Sequence, residues 1–306
     1  MKLAFLFAPQ GTQKIGMGKD LYESSDIVSR RFDQAQSQLS YDLLDIMFND
    51  EEKLHDTRYV QTALFTFQAA IIDLLSKNGV TSEGSLGLSL GEYPAFYDRG
   101  VFDFKTGIEI IEHRAFFMDQ ACQAQSSQMA AIKSEKAKVE ALVSALDDVY
   151  LANHNSENQC VISGTKESIA KASEKAKAFG IKRLRLLNTS GAFHSPFMES
   201  ARVSFAEYLS LVKLNAPNQY LYLNTTGQRY QKEDLKEVMA DHITHQVRFH
   251  EALLNMVSDG FDTFVEIGPK ATLSAFVKKI LPGATTYHIH DYESIQDTLK
   301  ELKGDE

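Results

Sequence analysis

Apolar residues recur along the chain with two different spacings. Mostly apolar runs such as Lys2–Ala8 and Thr263–Ile267 predict buried strands, whereas Val60–Leu75 has apolar residues at the spacing of a helix. The same spacings predict two further strands and two further helices, at Ser85–Ser89, Tyr220–Asn224, Leu90–Tyr97 and Phe104–Gln123. Short strands that alternate with longer helices are typical of an α/β protein with a parallel sheet.

The middle of the chain has a different order of elements. Residues 126–191 predict a strand, a helix, two strands, a helix and a final strand, the βαββαβ order of a ferredoxin-like fold. The predicted elements are Met129–Lys133, Lys136–Leu146, Tyr150–Asn155, Cys160–Ser163, Lys166–Phe179 and Lys182–Leu187. We therefore expect a small subdomain at 126–191 inserted into a large α/β domain of 1–125 and 192–306. A cleft between two such lobes is the default place for a substrate.

Composition narrows the class of protein. The 306 residues carry a net charge of −9, which gives nucleic-acid binding no global electrostatic support. Two cysteines are too few for a disulfide framework or a cysteine-rich zinc site. The first apolar run is too short for a signal peptide, and the uncharged stretch Tyr59–Ile72 is too short to span a bilayer. We expect a soluble, cytoplasmic protein that binds neither nucleic acid nor membranes.

The sharpest chemical motif is the G-x-S-x-G segment Gly87–Gly91, between a predicted strand and a predicted helix. A serine on a tight strand-to-helix turn needs small residues two positions away on both sides, and the turn presents its hydroxyl above the sheet. The following helix offers backbone N–H groups and a positive dipole end, which suit an oxyanion. We predict that Ser89 is a nucleophile; an ordinary glycine-rich turn is the alternative.

A serine nucleophile needs a general base. Among the nine histidines His194 stands out, because its uncharged loop, Ser190–Pro196, lies between the last subdomain strand and a helix, at the junction of the predicted lobes. Spacing cannot pair it with Ser89, from which it is 105 residues distant. No acidic residue lies in the loop, so either a distant carboxylate or a backbone carbonyl could orient the imidazole.

Two further polar residues lie where chemistry could occur. Gln10 follows the first strand and could donate a side-chain N–H to an oxyanion, although spacing alone favours a solvated turn. Arg114 lies in the apolar helical stretch Ile108–Met118 and either extends to solvent or binds a buried anion. Taken alone, the residues favour the surface position for Arg114.

These motifs belong to a longer ordered set that covers nearly the whole chain. Its segments are Phe7–Gly18, Gln61, Gly87–Tyr93, Arg114 with Met118, Met129–Ala131, Asn155 with Gln159–Gly164, Gly191–Ser195, His242–Phe249 and Phe264–Pro269. The set resembles the malonyl-CoA:acyl-carrier-protein transacylase family. The resemblance implies a large α/β-hydrolase-like domain with a parallel sheet, plus the small inserted ferredoxin-like subdomain.

The family implies a two-step, ping-pong acyl transfer in fatty-acid or polyketide synthesis, without a metal or redox cofactor. Ser89 would attack the thioester of malonyl-CoA, and the phosphopantetheine thiol of an acidic acyl carrier protein would then accept the malonyl group. His194 would be the base, oriented by the main-chain carbonyl of His242. The backbone N–H groups of Leu90 and Gln10 would form the oxyanion hole.

The resemblance also implies the acyl-binding residues. Arg114 would bind the malonyl carboxylate, which reverses the surface interpretation. Phe193 would narrow the pocket, and Met118 and Met129 would line it, with core packing as the alternative for both methionines. The family further implies a monomer.

Departures and alternatives remain. Leu88 stands where the family usually has histidine and Pro9 where it usually has glycine, which bears on substrate range and rate more than on reaction class.

A hydrolase of the same fold is the main alternative, and Arg114 argues against it. A non-catalytic scaffold is disfavoured by the intact set of site residues. An α/β-hydrolase proper would need an acidic triad member between the serine and the histidine, where the ferredoxin-like insertion lies instead.

Overall fold

The computed structural model describes residues 1–304. Contacts divide the chain into two compact units. The first unit contains Met1–Ala115, Lys213–Tyr222 and Leu253–Glu306, and the second contains Phe116–Val212 and Leu223–Ala252.

Strands and helices alternate along most of the chain. The strands are β1 (Leu3–Phe7), β2 (Gly84–Gly87), β3 (Ser127–Ile132), β4 (Val149–Ser156), β5 (Gln159–Thr165), β6 (Leu184–Leu186), β7 (Tyr220–Leu221), β8 (Thr263–Ile267) and β9 (Thr285–Ile289). The helices are α1 (Lys19–Ser24), α2 (Asp26–Gln38), α3 (Leu43–Phe48), α4 (Glu51–Leu54), α5 (Thr57–Lys77), α6 (Glu92–Asp98), α7 (Phe104–Ala124), α8 (Lys136–Ser144), α9 (Lys166–Lys175), α10 (Glu199–Ser210), α11 (Leu235–Asp241), α12 (Phe249–Ser258), α13 (Leu273–Ile280) and α14 (Tyr292–Lys303).

A parallel sheet forms the centre of the first unit, with the strand order β7-β2-β1-β8-β9. All residues of β1, β2 and β8 are buried, as expected for strands covered on both faces. Phe7 at the end of β1 pairs with Gly87 at the end of β2. The loops after these two strands therefore begin side by side at the carboxyl edge of the sheet, where α/β proteins bind ligands.

Helix α5 is the most apolar long helix of the first unit. By length and composition it could cross a membrane, yet 83% of its 18-residue apolar window is buried inside the fold. The carboxylate of Asp56 caps its start by accepting a hydrogen bond from Arg58 N–H. The apolar run is thus accounted for as a core helix that packs against α2.

An antiparallel sheet forms the second unit, with the strand order β4-β5-β3-β6. Helices α8 and α9 alternate with its strands in the predicted order. Apolar side chains from the sheet and both helices form one core, which includes Ile132, Leu142, Ile162 and Ile169. The thiol of Cys160 lies in this core, and burial raises its pKa to about 12.

The second unit extends beyond the predicted segment 126–191. Segment 223–252 joins it through backbone hydrogen bonds to β4: Val247 N–H donates to Ala152 O and His154 N–H donates to Val247 O, both at 2.8 Å. These pairings connect residues almost a hundred positions apart, which local patterns do not reveal. The placement of domain boundaries at 126 and 191 stays a prediction.

Several element boundaries differ from the predictions. The strand predicted at Tyr220–Asn224 has only two residues, because Leu223 N–H turns back to bond with Gln228 O. Strand β9 was not predicted, since as an edge strand it is only partly buried and has no continuous apolar run. Helices α1 to α4 were also not predicted. Helices α1, α3 and α4 have six residues or fewer and are too short to establish a spacing, whereas α2 was missed although Val28, Phe32 and Ala35 lie on one buried face.

Candidate active site

Ser89 lies on a strained turn between β2 and α6. Its φ angle is 53°, in the left-handed region that non-glycine residues rarely adopt. Residues 89–91 form one 3₁₀ turn that runs directly into α6. The predicted strand therefore ends two residues before the serine, and the predicted helix begins two residues later than expected. Strain of this kind clusters at functional sites.

Two close backbone approaches explain the glycines of the motif. A Cβ on Gly87 would lie 1.9 Å from the carbonyl carbon and oxygen of Gly91. A Cβ on Gly91 would lie 2.1 Å from the carbonyl oxygen of Phe7. The strand-to-helix turn thus forms only when both positions lack a side chain, as the G-x-S-x-G spacing predicts. Leu88 N–H donates to Phe7 O at 3.1 Å and ties the turn to β1.

The loop after β1 carries Gln10 and is held by its own side chains. Thr12 Oγ1 donates to Pro9 O at 2.7 Å, and Gly11 N–H donates to Gln13 Oε1 at 2.7 Å. Gln10 itself is half-buried and accepts a hydrogen bond at Oε1 from Thr57 Oγ1, 3.4 Å away. Gln10 lies in a turn, as the solvated-turn alternative expects, but its side chain is bonded to Thr57 at the start of α5.

Arg114 is buried, with only 1% of its surface exposed. The interpretation of Arg114 as a surface residue is wrong, because the residue shares a helix face with Ile110 and Ile111, both fully buried. Its Nη1 donates to Gln61 Oε1, and its guanidinium lies 5.1 Å from the ring centre of Tyr93.

Tyr93 contributes a buried polar ring to the surroundings of Arg114. Burial raises the pKa of Tyr93, an effect that the adjacent guanidinium partly offsets. The phenol therefore remains neutral at physiological pH and does not neutralise the charge of Arg114. A buried guanidinium with a neutral aromatic and a neutral amide beside it is suited to binding an anion.

His194 occupies a second strained backbone position, in the second unit. Its φ angle is 58°, and only 3% of its surface is exposed. Its backbone N–H donates to Ile243 O at 3.1 Å. Its Nδ1 lies 2.8 Å from His242 O; since a carbonyl only accepts, Nδ1 carries the proton. The neutral ring then keeps its lone pair on Nε2, the tautomer that a general base needs.

Two serines fasten the loop on either side of His194. Ser195 Oγ donates to Ala192 O at 2.5 Å, and Ala192 N–H donates to Ser127 Oγ at 2.9 Å. Of the two alternatives left open for orienting the imidazole, the structure shows a backbone carbonyl, that of His242. The ring of His242 also lies beside that of His194, with 5.1 Å between their centres.

The remaining predicted site residues are buried. Leu90 lies in the 3₁₀ turn directly after Ser89, in the first unit, and is 1% exposed. Met118 on α7, Met129 on β3 and Phe193 next to His194 belong to the second unit and are 2%, 4% and 7% exposed. Core packing and pocket lining are both compatible with these methionines.

Sequence reasoning did not single out Thr57 or Glu92 as candidate site residues. Thr57 is fully buried at the start of α5, and Glu92 is fully buried at the start of α6. Their position in the sequence could have identified them, because Thr57 is the first residue of α5 and Glu92 is the first residue of α6. Within residues 1–304, no group of three or more His, Cys, Asp or Glu side chains is placed to hold a metal ion.

Comparison with known proteins gives a consistent result. A family model described as an acyl transferase domain matches residues 4–299. A malonyl CoA-acyl carrier protein transacylase of Bacillus subtilis is 37% identical over 311 residues, covering 99% of this chain and 98% of that protein. The crystal structure of a malonyl CoA-acyl carrier protein transacylase from Clostridium perfringens is 33% identical, with a TM-score of 0.94 over 99% of this chain and 98% of the other.

A further solved structure has a partner bound. It is described as a type II PKS acyl-carrier protein in complex with its malonyl-transacylase, and it matches with a TM-score of 0.94 and 28% identity over 98% of this chain and 100% of the other. The fold, the serine turn and the matching domain model define an acyltransferase. The chain belongs to the malonyl-CoA:acyl-carrier-protein transacylase family, as its motifs predict.

Proposed function

We propose that this acyltransferase moves the malonyl group of malonyl-CoA to the phosphopantetheine thiol of an acyl carrier protein. The observation that carries the proposal is Arg114, a buried guanidinium in the same compact unit as the strained Ser89 turn. An acetyl group would leave that charge buried without a counter-ion, at a cost of several kcal/mol. A substrate with a terminal carboxylate removes this cost.

The proposed first step acylates the enzyme. Ser89 Oγ attacks the thioester carbonyl while His194 Nε2 accepts the hydroxyl proton. The backbone N–H groups of Leu90 and Gln10 stabilise the oxyanion. When the tetrahedral intermediate collapses, the C–S bond breaks and coenzyme A leaves as a thiol with the proton from His194.

The proposed second step reverses this chemistry with a different thiol. His194 removes the proton of the phosphopantetheine thiol, and the thiolate attacks the carbonyl of the malonyl-Ser89 ester. The tetrahedral intermediate then collapses, the C–O bond to Ser89 breaks, and His194 returns the proton to the Ser89 oxygen. Throughout both steps the carbonyl of His242 accepts the hydrogen bond from His194 Nδ1 and stabilises the transient imidazolium. A thioester is already activated, so the transfer is reversible and no metal is assigned a role.

The acyl pocket and the protein's surroundings are part of the same proposal. Phe193, with Met118 and Met129, would limit the pocket to an unbranched malonyl group. The proposed partner is an acidic carrier protein, which suits the exposed basic residues on and before β6, namely Lys182, Arg183 and Arg185. We further propose a cytoplasmic monomer with the ferredoxin-like subdomain at 126–191.

Intact-protein mass spectrometry tests the proposal. Wild type and Ser89→Ala are mixed briefly with malonyl-CoA and, separately, with acetyl-CoA. We expect a malonyl adduct on wild type only, little acetyl adduct, and discharge of the malonyl adduct when a phosphopantetheinylated carrier protein is added.

Three results would contradict parts of this proposal. Equal loading by acetyl-CoA would exclude Arg114 as the selector. Equal loading of Ser89→Ala would exclude Ser89 as the nucleophile. Discharge to free malonate that is as fast without carrier protein as with it would favour the hydrolase.

A further inference from the structure

A continuous line of hydrogen bonds joins Arg114 to Gln10 within the first unit. Arg114 Nη1 donates to Gln61 Oε1. Gln61 Nε2 donates to Thr57 Oγ1 at 3.2 Å, and Thr57 Oγ1 donates to Gln10 Oε1 at 3.4 Å. Thr57 and Gln61 are both fully buried, so water does not compete for these bonds.

The guanidinium fixes the direction of every bond in the line. Arginine has donors only, so Gln61 must turn its amide oxygen toward Arg114 and its amide nitrogen toward Thr57. The Thr57 hydroxyl accepts from that nitrogen and has a single proton left to donate. That proton meets Gln10 Oε1, which leaves the amide nitrogen of Gln10 as the end not engaged with Thr57.

The two middle members of the line are held by one helix. Thr57 is the first residue of α5, and Gln61 lies one turn further along the same face. The Asp56 cap fixes this end of the helix. The backbones of both middle residues are therefore held in one fixed relation, and their side chains bond to each other across one helical turn.

We propose that Thr57 is a positioning residue that sets the orientation of two amides at once, those of Gln61 and Gln10. The inference rests on the proposed function, in which Arg114 binds the acyl carboxylate and the Gln10 loop supplies an oxyanion donor. The Thr57 hydroxyl anchors the side chain of Gln10, and the backbone N–H of the same residue is the proposed oxyanion donor. Thr57 thereby couples recognition of the carboxylate to the geometry of the oxyanion hole. The preference for malonyl over acetyl groups is then expressed in the rate of Ser89 acylation and not only in binding.

Single-turnover acylation of Ser89 by malonyl-CoA and by acetyl-CoA tests the coupling in wild type, Thr57→Ser and Thr57→Val. Thr57→Ser keeps the hydroxyl, and we expect both rate constants to stay within about twofold of wild type. Thr57→Val removes it at nearly constant shape. We expect the malonyl rate constant to fall about tenfold, with the concentration for half-maximal rate changed by less than about twofold. The ratio of the malonyl rate constant to the acetyl rate constant should also fall in Thr57→Val.

Each other outcome overturns the proposal. The coupling is excluded if Thr57→Val acylates with malonyl-CoA within about twofold of the wild-type rate constant, or if Thr57→Ser is slowed as much as Thr57→Val. It is also excluded if the ratio of the malonyl to the acetyl rate constant does not change. If Thr57→Val does not fold, Thr57→Ala takes its place in the same comparison. Failure of the proposed function is distinguishable, because wild type itself would then form no malonyl adduct on Ser89.

Discussion

Ser89 and His194 adopt nearly the same unusual backbone conformation, with φ angles of 53° and 58°, but the chain holds them there by different means. At Ser89 the restraint is steric: the backbone passes so close to itself at Gly87 and Gly91 that neither position has room for a Cβ. At His194 the restraint is a set of hydrogen bonds to carbonyls and serines. The glycine of this loop, Gly191, faces a side chain and not backbone at closest approach: an added Cβ would lie 2.4 Å from the Cys122 sulfur.

The two kinds of restraint should respond differently to perturbation. A steric restraint cannot be weakened in small steps, because even one methyl group added at Gly87 or Gly91 must displace the backbone. Hydrogen bonds can be removed one at a time, each at a moderate cost. Ionisable groups that support such bonds also titrate, whereas steric contact does not.

The largest effect is expected for Gly87→Ala. The new Cβ would overlap the backbone of Gly91, and we expect the free energy of unfolding to fall by more than about 4 kcal/mol. Urea unfolding measures this loss. Gly283→Ala is the control, because nothing lies within 4 Å of its added Cβ. Equal stability of the two variants would show that the Ser89 turn is not held by backbone contact.

An intermediate effect is expected for Ser195→Ala. Removing its hydroxyl leaves the buried carbonyl of Ala192 without that partner, which should cost about 1–3 kcal/mol of unfolding free energy. Because the bond lies next to His194, we also expect slower acylation of Ser89. Ser210→Ala removes a similar serine-to-carbonyl bond at an exposed site and should change neither quantity measurably. Full activity in Ser195→Ala would separate this bond from the placement of His194.

The smallest effect concerns pH and a different hydrogen-bonded group of the second unit, the carboxyl of Glu251. Partial burial opposes ionisation of Glu251, but hydrogen bonds from His154 and Lys136 outweigh it and lower the pKa of this carboxyl from 4.5 to about 2. The folded pKa lies below the unfolded one, so this stabilisation is present above about pH 4.5 and is lost as the pH falls toward 2.

Glu251→Gln should remove that pH dependence. After allowance for partial exposure, we expect wild type to lose about 1 kcal/mol more unfolding free energy than the variant between pH 5 and pH 2.5. Glu167→Gln, at a fully exposed helix pair with Lys171, is the matched control. Parallel stability curves for wild type and Glu251→Gln would contradict the assignment.

Local patterns predicted most strands and helices that bury a continuous or regularly spaced apolar face. Strand β8 has the predicted boundaries, and α7 differs by one residue. Strand β9 and helices α1, α3 and α4 were not predicted, because their apolar residues are too few to establish a period. Helix α2 was missed although Val28, Phe32 and Ala35 have the spacing of a helix. The Ser89 turn was predicted from its glycines, since a close backbone approach requires glycine at that position.

The site was harder to predict where it depends on pairing between distant segments. The burial of Arg114 follows from its position on the apolar face of α7, but the residues alone favoured a surface position. The bond from His194 to the carbonyl of His242 joins residues 48 positions apart, and a backbone acceptor leaves no side-chain signature. Thr57 was not identified for the same reason, because its partner Gln10 lies 47 positions away in the loop after β1.

The buried thiol of Cys160 has a consequence for a protein whose proposed substrates are themselves thioesters. Thioesters exchange readily with any thiolate they meet, so an accessible, ionised cysteine would become a second acyl acceptor in competition with Ser89. Burial raises the pKa of Cys160 to about 12, so the thiol stays protonated near pH 7, and the surrounding core separates it from solvent. The packing of the second unit thus also prevents the Cys160 thiol from reacting with the acyl groups that the enzyme transfers.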